Sequence, residues 1–355
     1  MKIQQLTIRQ LSLPLTIPYK LSLDVVKAFS TVLVEMRDSD GRTGLGEATL
    51  LRGYTEETME EAWREICTTG RTLMGLDAVS AREHIRPMHG RAPFSCTALM
   101  TAVEMLEEAP VLRPPEGAAV PLLAILSAEA GEALEQEIEA HVAAGYGTLK
   151  IKVGFDLDSD LARVARIQEI AAGRLRLRID ANQGYNRAEG CRFVQEVDPA
   201  NVELVEQTCA AGDWDAAVAV SRVANVPVML DESIYGIADV ERAAELGCAT
   251  HIKFKLMKAG GLQALADALQ RIRDLGMEPI LGNGVAGDIG CWMEACVAHR
   301  QLSSAGEMNG FLKPVDSLLE APMTVRGGQL LLPTAPPALS PAKLEAATMV
   351  KEVFE

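Results

Sequence analysis

Short apolar segments alternate with longer amphipathic segments along most of this 355-residue sequence, and the alternation predicts an α/β fold, a (β/α)8 barrel of the TIM type. Eight apolar segments follow one another at even spacing in the last two thirds of the chain. The first third reads instead as strands followed by helices, which predicts a separate α+β domain. A doubly wound sheet is the alternative, but the even spacing and the count of eight favour the barrel.

The N-terminal α+β domain is predicted over residues 1–115. Alternating apolar and polar residues predict strands at 2–10, 11–17 and 30–36, with a turn at 38–41. Helical patterns follow, one beginning at Tyr54 with a cap at 55–58, and one over 95–109. The boundary to the barrel is placed near 112–120, where three prolines interrupt the helical pattern: Pro110, Pro114 and Pro115.

The barrel is predicted over residues 116–318. Its strands are the apolar segments 122–126, 148–153, 175–180, 202–206, 228–232, 251–256 and 279–283, and a last one near 301–307. The remaining segment, 319–355, contains a predicted hairpin with the sequence TVRGGQLLLP. We expect this segment to pack back on the N-terminal domain and to complete it.

The charge and composition of the sequence argue against several classes of binding partner. A formal net charge of −15 argues against binding to nucleic acid or to an anionic membrane, because both are negatively charged. The seven scattered cysteines have no CxxC spacing and are expected to be reduced thiols. The N-terminus lacks the apolar core of a signal peptide, and no apolar run is long enough for a membrane span. These features predict a cytoplasmic protein that acts on a small molecule.

Charged residues stand at the ends of successive predicted barrel strands, in the order Lys150 and Lys152, Asp180, Glu206, Asp231, Lys253 and Lys255. The C-terminal ends of barrel strands form the active site, so these side chains are expected to converge. Three close carboxylates repel one another unless a cation joins them, and an all-oxygen ligand set suits Mg²⁺, with Mn²⁺ as a second possibility. Strands two and six lie across a barrel from each other, so their lysines would flank that cation.

This ordered set of residues resembles the enolase superfamily. The stretches that carry the resemblance are TLKIKVG, LRIDANQGY, VELVEQ, MLDES, IKFKLMKAGG and, in the N-terminal domain, the capping-domain-like GRTGLGEA. Lysines on both strand two and strand six resemble the muconate-lactonising branch of that superfamily. The resemblance implies that Asp180, Glu206 and Asp231 bind the metal ion, and that Lys152 and Lys255 are the acid–base catalysts on its two sides.

The resemblance also implies that Lys150 contacts the substrate carboxylate and that Asn182 lies near the metal ion and the substrate. Three further candidates for substrate binding stand where the sequence departs from the family: Lys253, Glu307 and Asn309. Many relatives have asparagine where Lys253 stands. This extra lysine is expected either to lower the pKa of Lys255 or to bind a second anionic group, or it simply pairs with a carboxylate. Dipeptide epimerases carry Asp-x-Asp on strand eight, a motif that is not present here. Three aromatic residues are candidate lid contacts, with plain packing as the alternative: Tyr19, Phe29 and Tyr54.

The implied reaction is abstraction of the α-proton of a small carboxylate through a metal-stabilised enolate. Two bases on opposite faces favour racemisation or epimerisation, because one removes the proton and the other returns it. An amino-acid derivative is the expected substrate, with Glu307 receiving a cationic nitrogen. Muconate-type cycloisomerisation and β-elimination of water use the same residues and stay open, as does a non-catalytic ligand-binding relative. The family also implies a homo-oligomer.

Overall fold

The computed structural model describes residues 2–20, 25–51 and 55–355. The strands in these ranges are β1 (Ile3–Lys20), β2 (Val25–Asp38), β3 (Thr43–Leu50), β4 (Ala119–Pro121), β5 (Ala124–Ile125), β6 (Thr148–Lys152), β7 (Arg176–Asp180), β8 (Val202–Glu206), β9 (Val228–Leu230), β10 (His251–Phe254), β11 (Glu278–Leu281), β12 (Thr324–Arg326), β13 (Gln329–Leu331) and β14 (Thr348–Phe354). The α-helices are α1 (Met59–Thr72), α2 (Ala78–Ile85), α3 (Pro93–Leu106), α4 (Gly131–Ala143), α5 (Leu157–Ala171), α6 (Arg187–Glu196), α7 (Trp214–Val223), α8 (Ile237–Leu246), α9 (Leu256–Ala259), α10 (Leu262–Asp274), α11 (Asp288–Gln301) and α12 (Pro341–Ala347).

The N-terminal sheet is antiparallel, with the strand order β14-β1-β2-β3. The two strands predicted at 2–10 and 11–17 are one continuous strand, β1. Its apolar alternation changes phase between Ile8 and Leu11, and the register with β14 shifts at the same place, between Gln10 and Leu11. The two halves of β1 therefore bury their side chains in different cores, Ile8 in that of the N-terminal domain and Leu11 in the core shared with the parallel sheet.

Helix α3 packs directly on β3, and two glycines make this possible. A Cβ atom at Gly44 would lie 1.9 Å from the backbone oxygen of Ala102, and one at Gly46 would lie 1.8 Å from that of Ala98. Any side chain at these positions would push the helix away from the strand. The glycines of GRTGLGEA thus serve the contact between helix and sheet.

Two of the predicted helices begin or end differently from the sequence-based expectation. Helix α1 begins at Met59, because Thr58 caps it in a reciprocal capping box with Glu61; the predicted start, Tyr54, lies outside the described residues. Helix α3 begins at Pro93, close to the predicted 95, and ends at Leu106. Helix α2 was not predicted, since its eight residues present only a weak apolar pattern.

The parallel sheet has seven strands in the order β11-β10-β9-β8-β7-β6-β5. The predicted eighth strand near 301–307 is reduced to one bridge between Gly306 and Leu122. The amide of Gly306 donates to the oxygen of Pro121 (2.9 Å), and the amide of Glu307 donates to the oxygen of Leu281 (3.1 Å). This short segment therefore joins β11 to Pro121 and Leu122, just before β5, an arrangement consistent with the TIM-type fold.

The C-terminal segment divides between the two sheets. Its predicted hairpin forms as β12 and β13, but β13 pairs with β4 and not with the N-terminal sheet. Strand β14 instead pairs antiparallel with β1. The expectation that the C-terminal segment packs back on the N-terminal domain stays a prediction, since β14 pairs with the N-terminal sheet whereas the hairpin pairs with β4. No helix in the described ranges is both long and apolar enough to cross a membrane.

Two buried carboxylates, Glu47 on β3 and Glu104 on α3, connect the N-terminal elements to two helices of the parallel sheet. Glu47 accepts hydrogen bonds from the amides of Gly287, Ile289 (3.2 Å) and Gly290 (3.1 Å) at the start of α11. Glu104 accepts from the amides of Leu262 (2.7 Å) and Gln263 at the start of α10. A carboxylate stabilises a helix N-terminus through its unpaired amides and its dipole. These hydrogen bonds thereby fix the position of β3 relative to α11.

Replacement of Glu47 tests this connection between β3 and α11. Glu47→Ala leaves several buried amides without an acceptor, so we expect the free energy of unfolding to fall by about 2–4 kcal/mol, measured by denaturant unfolding. The control is Glu35→Ala on β2, which removes an ion pair with Arg37, whose side chain is 57% exposed, and should cost under about 1 kcal/mol. Equal losses in the two variants would show that Glu47 does not hold β3 to α11.

Candidate active site

The parallel register places the predicted site residues side by side. Lys152 of β6 is the register partner of Asp180 of β7, which in turn is the partner of Glu206 of β8. Register partners in a parallel sheet point to the same face. Asp231 follows β9 directly and completes the row at the carboxyl ends of the strands. Each of the three carboxylate residues is at most 2% exposed.

Two buried lysines lie in the gaps between these carboxylates. Lys150 Nζ lies 2.8 Å from Asp180 Oδ2 and 3.0 Å from Glu206 Oε2. Lys253 Nζ lies 3.0 Å from Glu206 Oε1 and 3.5 Å from Asp231 Oδ2. Acidic and basic groups thus alternate along the carboxyl ends of the parallel strands, called the mouth of the site below. Burial of so many charges requires such an alternation.

The two predicted catalytic lysines stand at the two ends of the row. Lys152 Nζ lies 2.6 Å from Asp180 Oδ2, and 36% of its side chain is exposed. Lys255 Nζ lies 2.6 Å from Asp231 Oδ1, and its side chain is 2% exposed. Three strands separate β6 from β10 in the sheet order, so the two lysines approach the row of carboxylates from different sides.

The pKa values at the mouth follow from this alternation. Burial alone would raise the pKa of Asp180, but Lys150 and Lys152 hold it down at about 2. Asp231 is likewise held well below its usual pKa by Lys255 against the effect of burial. The pKa of Glu206 is raised, because burial and the charge of Asp180 outweigh its lysines. Glu206 therefore has the least compensated charge of the three.

Glu307, at the shortened eighth strand, is surrounded by lysines. Its carboxylate accepts hydrogen bonds from Lys150 (3.0 Å to Oε2) and from Lys253. Against burial, these charges hold the pKa of Glu307 well below its usual range. The expected role of Glu307 as the receptor of a cationic nitrogen is not supported by this arrangement, because two lysines already neutralise it. Of the interpretations of Lys253, the structure favours pairing with carboxylates.

Several known proteins that are similar to this chain are isomerases. A model of the family "Enolase C-terminal domain-like" matches residues 133–336. The L-Lys-D/L-Arg epimerase of Methylococcus capsulatus is 32% identical, over 74% of this chain and 77% of that protein. Other relatives are named as amino-acid epimerases or racemases and as muconate cycloisomerases.

Solved structures agree in fold. The muconate lactonizing enzyme of Pseudomonas fluorescens, complexed with muconolactone, superposes with a TM-score of 0.88 at 24% identity, covering 98% of this chain and 99% of that one. The dipeptide epimerase of Enterococcus faecalis V583, complexed with Mg and the dipeptide L-Leu-L-Tyr, gives 0.85 at 25% identity, covering 95% and 98%.

The chain belongs to the enolase C-terminal domain-like family. The predicted resemblance to the enolase superfamily and its muconate-cycloisomerase branch is confirmed. So is the predicted class of activity, an isomerase whose relatives are epimerases, racemases and cycloisomerases.

One supporting residue of this enolase-superfamily site was missed in the sequence. Gln207 follows Glu206 with a positive φ of 39°, and its Oε1 accepts the amides of Asp231 (3.0 Å) and Ser233 (3.2 Å). Its Nε2 donates to the oxygen of Cys209 and to Ser233 Oγ. Gln207 thus ties the end of β8 to the peptide that carries Asp231. The sequence feature that could have indicated this role is the position of Gln207 directly after Glu206, a charged residue at a strand end.

The remaining predicted residues divide between site and core. Asn182 donates to Glu232 Oε1 (2.9 Å) and accepts from Lys152, so it belongs to the row. Burial, assisted by the charge of Asp231, raises the pKa of Glu232 to about 7.

Phe29 is fully buried in the shared core, as the packing alternative proposed. Tyr54 and the side chain of Tyr19 lie outside what is described.

The donor chemistry of the row fits a divalent cation. Two buried oxygens, Glu206 Oε2 and Asp231 Oδ1, have no partner in hydrogen-bond geometry, although lysine ammonium groups lie within ion-pair distance of both. Lys150 occupies the gap between Asp180 and Glu206, which shows that this gap attracts positive charge. In the described ranges no three His, Cys, Asp or Glu side chains are placed so that they could hold a metal ion together. The row of carboxylates therefore fits a divalent cation in its negative charge and in the chemical type of its ligand atoms, and not in their spacing.

A double-mutant cycle tests the pairing of Lys253 with Glu307. Lys253→Met leaves Glu307 and Glu206 with less compensation in a buried environment, so we expect the free energy of unfolding to fall by about 3 kcal/mol. Adding Glu307→Gln to that variant removes one uncompensated charge and should restore part of the loss. Additive losses, measured by denaturant unfolding of both single variants and the double variant, would contradict the pairing.

Proposed function

We propose that this protein is a racemase or epimerase that inverts the α-carbon of an amino-acid derivative. The observation that carries the proposal is the placement of Lys152 and Lys255 at opposite ends of one row of carboxylates. Inversion needs one group that removes the α-proton and a second group that delivers a proton to the other face. The epimerase and racemase activities named for the relatives support this choice over other reactions of the superfamily.

Each lysine has a distinct part in this proposal. Lys152 takes or returns the proton on one face of the α-carbon, and its exposed Nζ makes it the more accessible of the two. Lys255 acts on the other face from a buried position. Lys150, deeper on the same strand face as Lys152, supplies positive charge to the substrate carboxylate, and Asn182 orients Lys152 through their hydrogen bond.

We further propose that Asp180, Glu206 and Asp231 hold Mg²⁺, or alternatively Mn²⁺. The all-oxygen ligand set and the closely spaced buried carboxylates support a hard divalent cation. The Enterococcus faecalis relative, whose structure was determined with Mg, supports the same ion. When bound, such a cation stabilises the negative charge that develops on the substrate carboxylate as the α-proton leaves.

The finer architecture belongs to the same proposal. We infer that β5 to β11, with the bridge at Gly306, form the closed (β/α)8 barrel. The domain limits are proposed as 1–115 for the capping domain, 116–318 for the barrel and 319–355 for the C-terminal segment. The pairing of β14 with β1 supports a capping domain completed by that segment.

Exchange of the α-hydrogen in deuterium oxide tests the function. Wild-type protein with Mg²⁺ should place one solvent deuterium at the inverted centre of either enantiomer, as followed by NMR and mass spectrometry. Lys152→Ala should abolish conversion while exchange from the enantiomer served by Lys255 persists, and Lys255→Ala should give the mirror pattern. Arg166→Ala, which removes ion pairs with Glu135 and Glu169 at a half-exposed side chain on α5, is the control and should retain both activities.

Other products would redirect the assignment. A lactone would indicate a cycloisomerase, and a product lighter by one water would indicate a dehydratase, since all three reactions begin with loss of the same proton. Tight binding of a carboxylate without any exchange would indicate a ligand-binding relative. Each of these results contradicts racemisation or epimerisation.

A further inference from the structure

Three polar groups meet at Gly284, in the loop after β11. A Cβ atom placed on Gly284 would lie 2.9 Å from Lys313 Nζ, 3.5 Å from Glu307 Oε1 and 3.6 Å from Asn309 Oδ1. A side chain at Gly284 would collide with Lys313 Nζ, so the glycine allows the three groups to meet here. Glu307 connects this corner to Lys150 and Lys253, so it adjoins the row of carboxylates described above.

Asn309 presents an acceptor that the described residues do not satisfy. The residue is 5% exposed, and its Oδ1 is buried without a hydrogen-bond partner. A buried amide oxygen without a donor is costly, and a bound ligand with an N–H group would supply one. The orphaned oxygen is therefore a sign of a ligand at this corner.

Lys313 provides the second group. It follows the short 3-10 helix Gly310–Leu312, and its Nζ donates to the backbone oxygen of Gly284. Burial lowers the pKa of Lys313 to about 8, although the charge of Glu307 acts in the opposite direction. At neutral pH the side chain is mostly protonated and can donate to an oxygen of a ligand.

The lysines bound to Glu307 disfavour a free ammonium group at this carboxylate. Glu307 is the one carboxylate among the three groups that meet at Gly284. Lys150 and Lys253 neutralise its charge. Lys313 adds a further positive charge close by. A cationic nitrogen would therefore be repelled, whereas a neutral amide or an anionic acyl group would be attracted.

We propose that Lys313 and Asn309 form a subsite for the acylated nitrogen of the substrate. Asn309 Oδ1 accepts the amide N–H, and Lys313 donates to a carbonyl or carboxylate oxygen of the acyl group. This inference rests on the proposed function and adds to it a substrate class, N-acyl amino acids in preference to dipeptides with a free N-terminus. Lys313 is the specificity-determining residue.

The test compares two substrate classes on wild-type protein with Mg²⁺. Solvent deuterium exchange is measured for N-succinyl and N-acetyl amino acids and for dipeptides with a free N-terminus, all sharing the same series of side chains. The proposal expects kcat/KM to be about tenfold or more higher for the acylated class. Higher values for the dipeptides would overturn the subsite and leave the proposed function intact. Exchange with neither class would overturn both.

Variants assign the preference to Lys313. Lys313→Met should raise KM for N-succinyl substrates about tenfold or more, with a much smaller change in kcat, and Lys313→Arg should restore most of the affinity. The matched control is Lys343→Met, which removes a similar lysine-to-carbonyl hydrogen bond, to Leu319, in the C-terminal segment. If Lys313→Met and Lys343→Met change KM for N-succinyl substrates equally, Lys313 does not bind the acyl group.

Discussion

The structure depends on one electrostatic constraint, the mutual neutralisation of charges buried at the ends of the parallel strands. An ionised carboxylate removed from water costs several kcal/mol unless opposite charges surround it. Here Asp180, Glu206 and Asp231 meet this requirement through lysines on β6 and β10. These ion pairs hold the side chains at the strand ends in place. They also keep together a row of carboxylates that, in the proposed function, binds a divalent cation.

The N-terminal sheet is tied to this row through the backbone of helices that flank the parallel sheet. Glu47 and Glu104 satisfy the first amides of α11 and α10, the helices that follow β11 and β10. The glycines Gly44 and Gly46 let α3 approach β3, so the strand that carries Glu47 is held from both sides. The N-terminal sheet thereby has a fixed position beside the loop that contains Gly284, where the proposed acyl group would lie.

Local sequence patterns predicted the parts of the site that depend on a single strand. The alternation of side chains along a strand determines that Lys150 shares a face with Lys152, and the regular spacing of strands determines the order of Asp180, Glu206 and Asp231. The family resemblance added their roles. The strands themselves were predicted to within a few residues, except the eighth, where one bridge at Gly306 replaces a regular strand.

Contacts between distant segments could not be predicted from those patterns. Glu307 is 157 residues from Lys150 in the chain, and nothing in the local sequence indicates that two lysines neutralise it. The convergence of Lys313 and Asn309 at Gly284 depends on how an irregular loop closes against the shortened strand. The continuity of β1 was missed because its alternation changes phase where a bulge lets it serve two cores.

The most direct test of the account is a titration of the protein with Mn²⁺, followed by electron paramagnetic resonance of the free ion. The account predicts one strong site per chain, competed by Mg²⁺, with affinity reduced about tenfold or more in Asp231→Asn. Asp198→Asn, which alters an exposed carboxylate, should bind like the wild type. Equal affinity in Asp231→Asn, or no binding by the wild type, would contradict the claim that the strand-end carboxylates form a metal site.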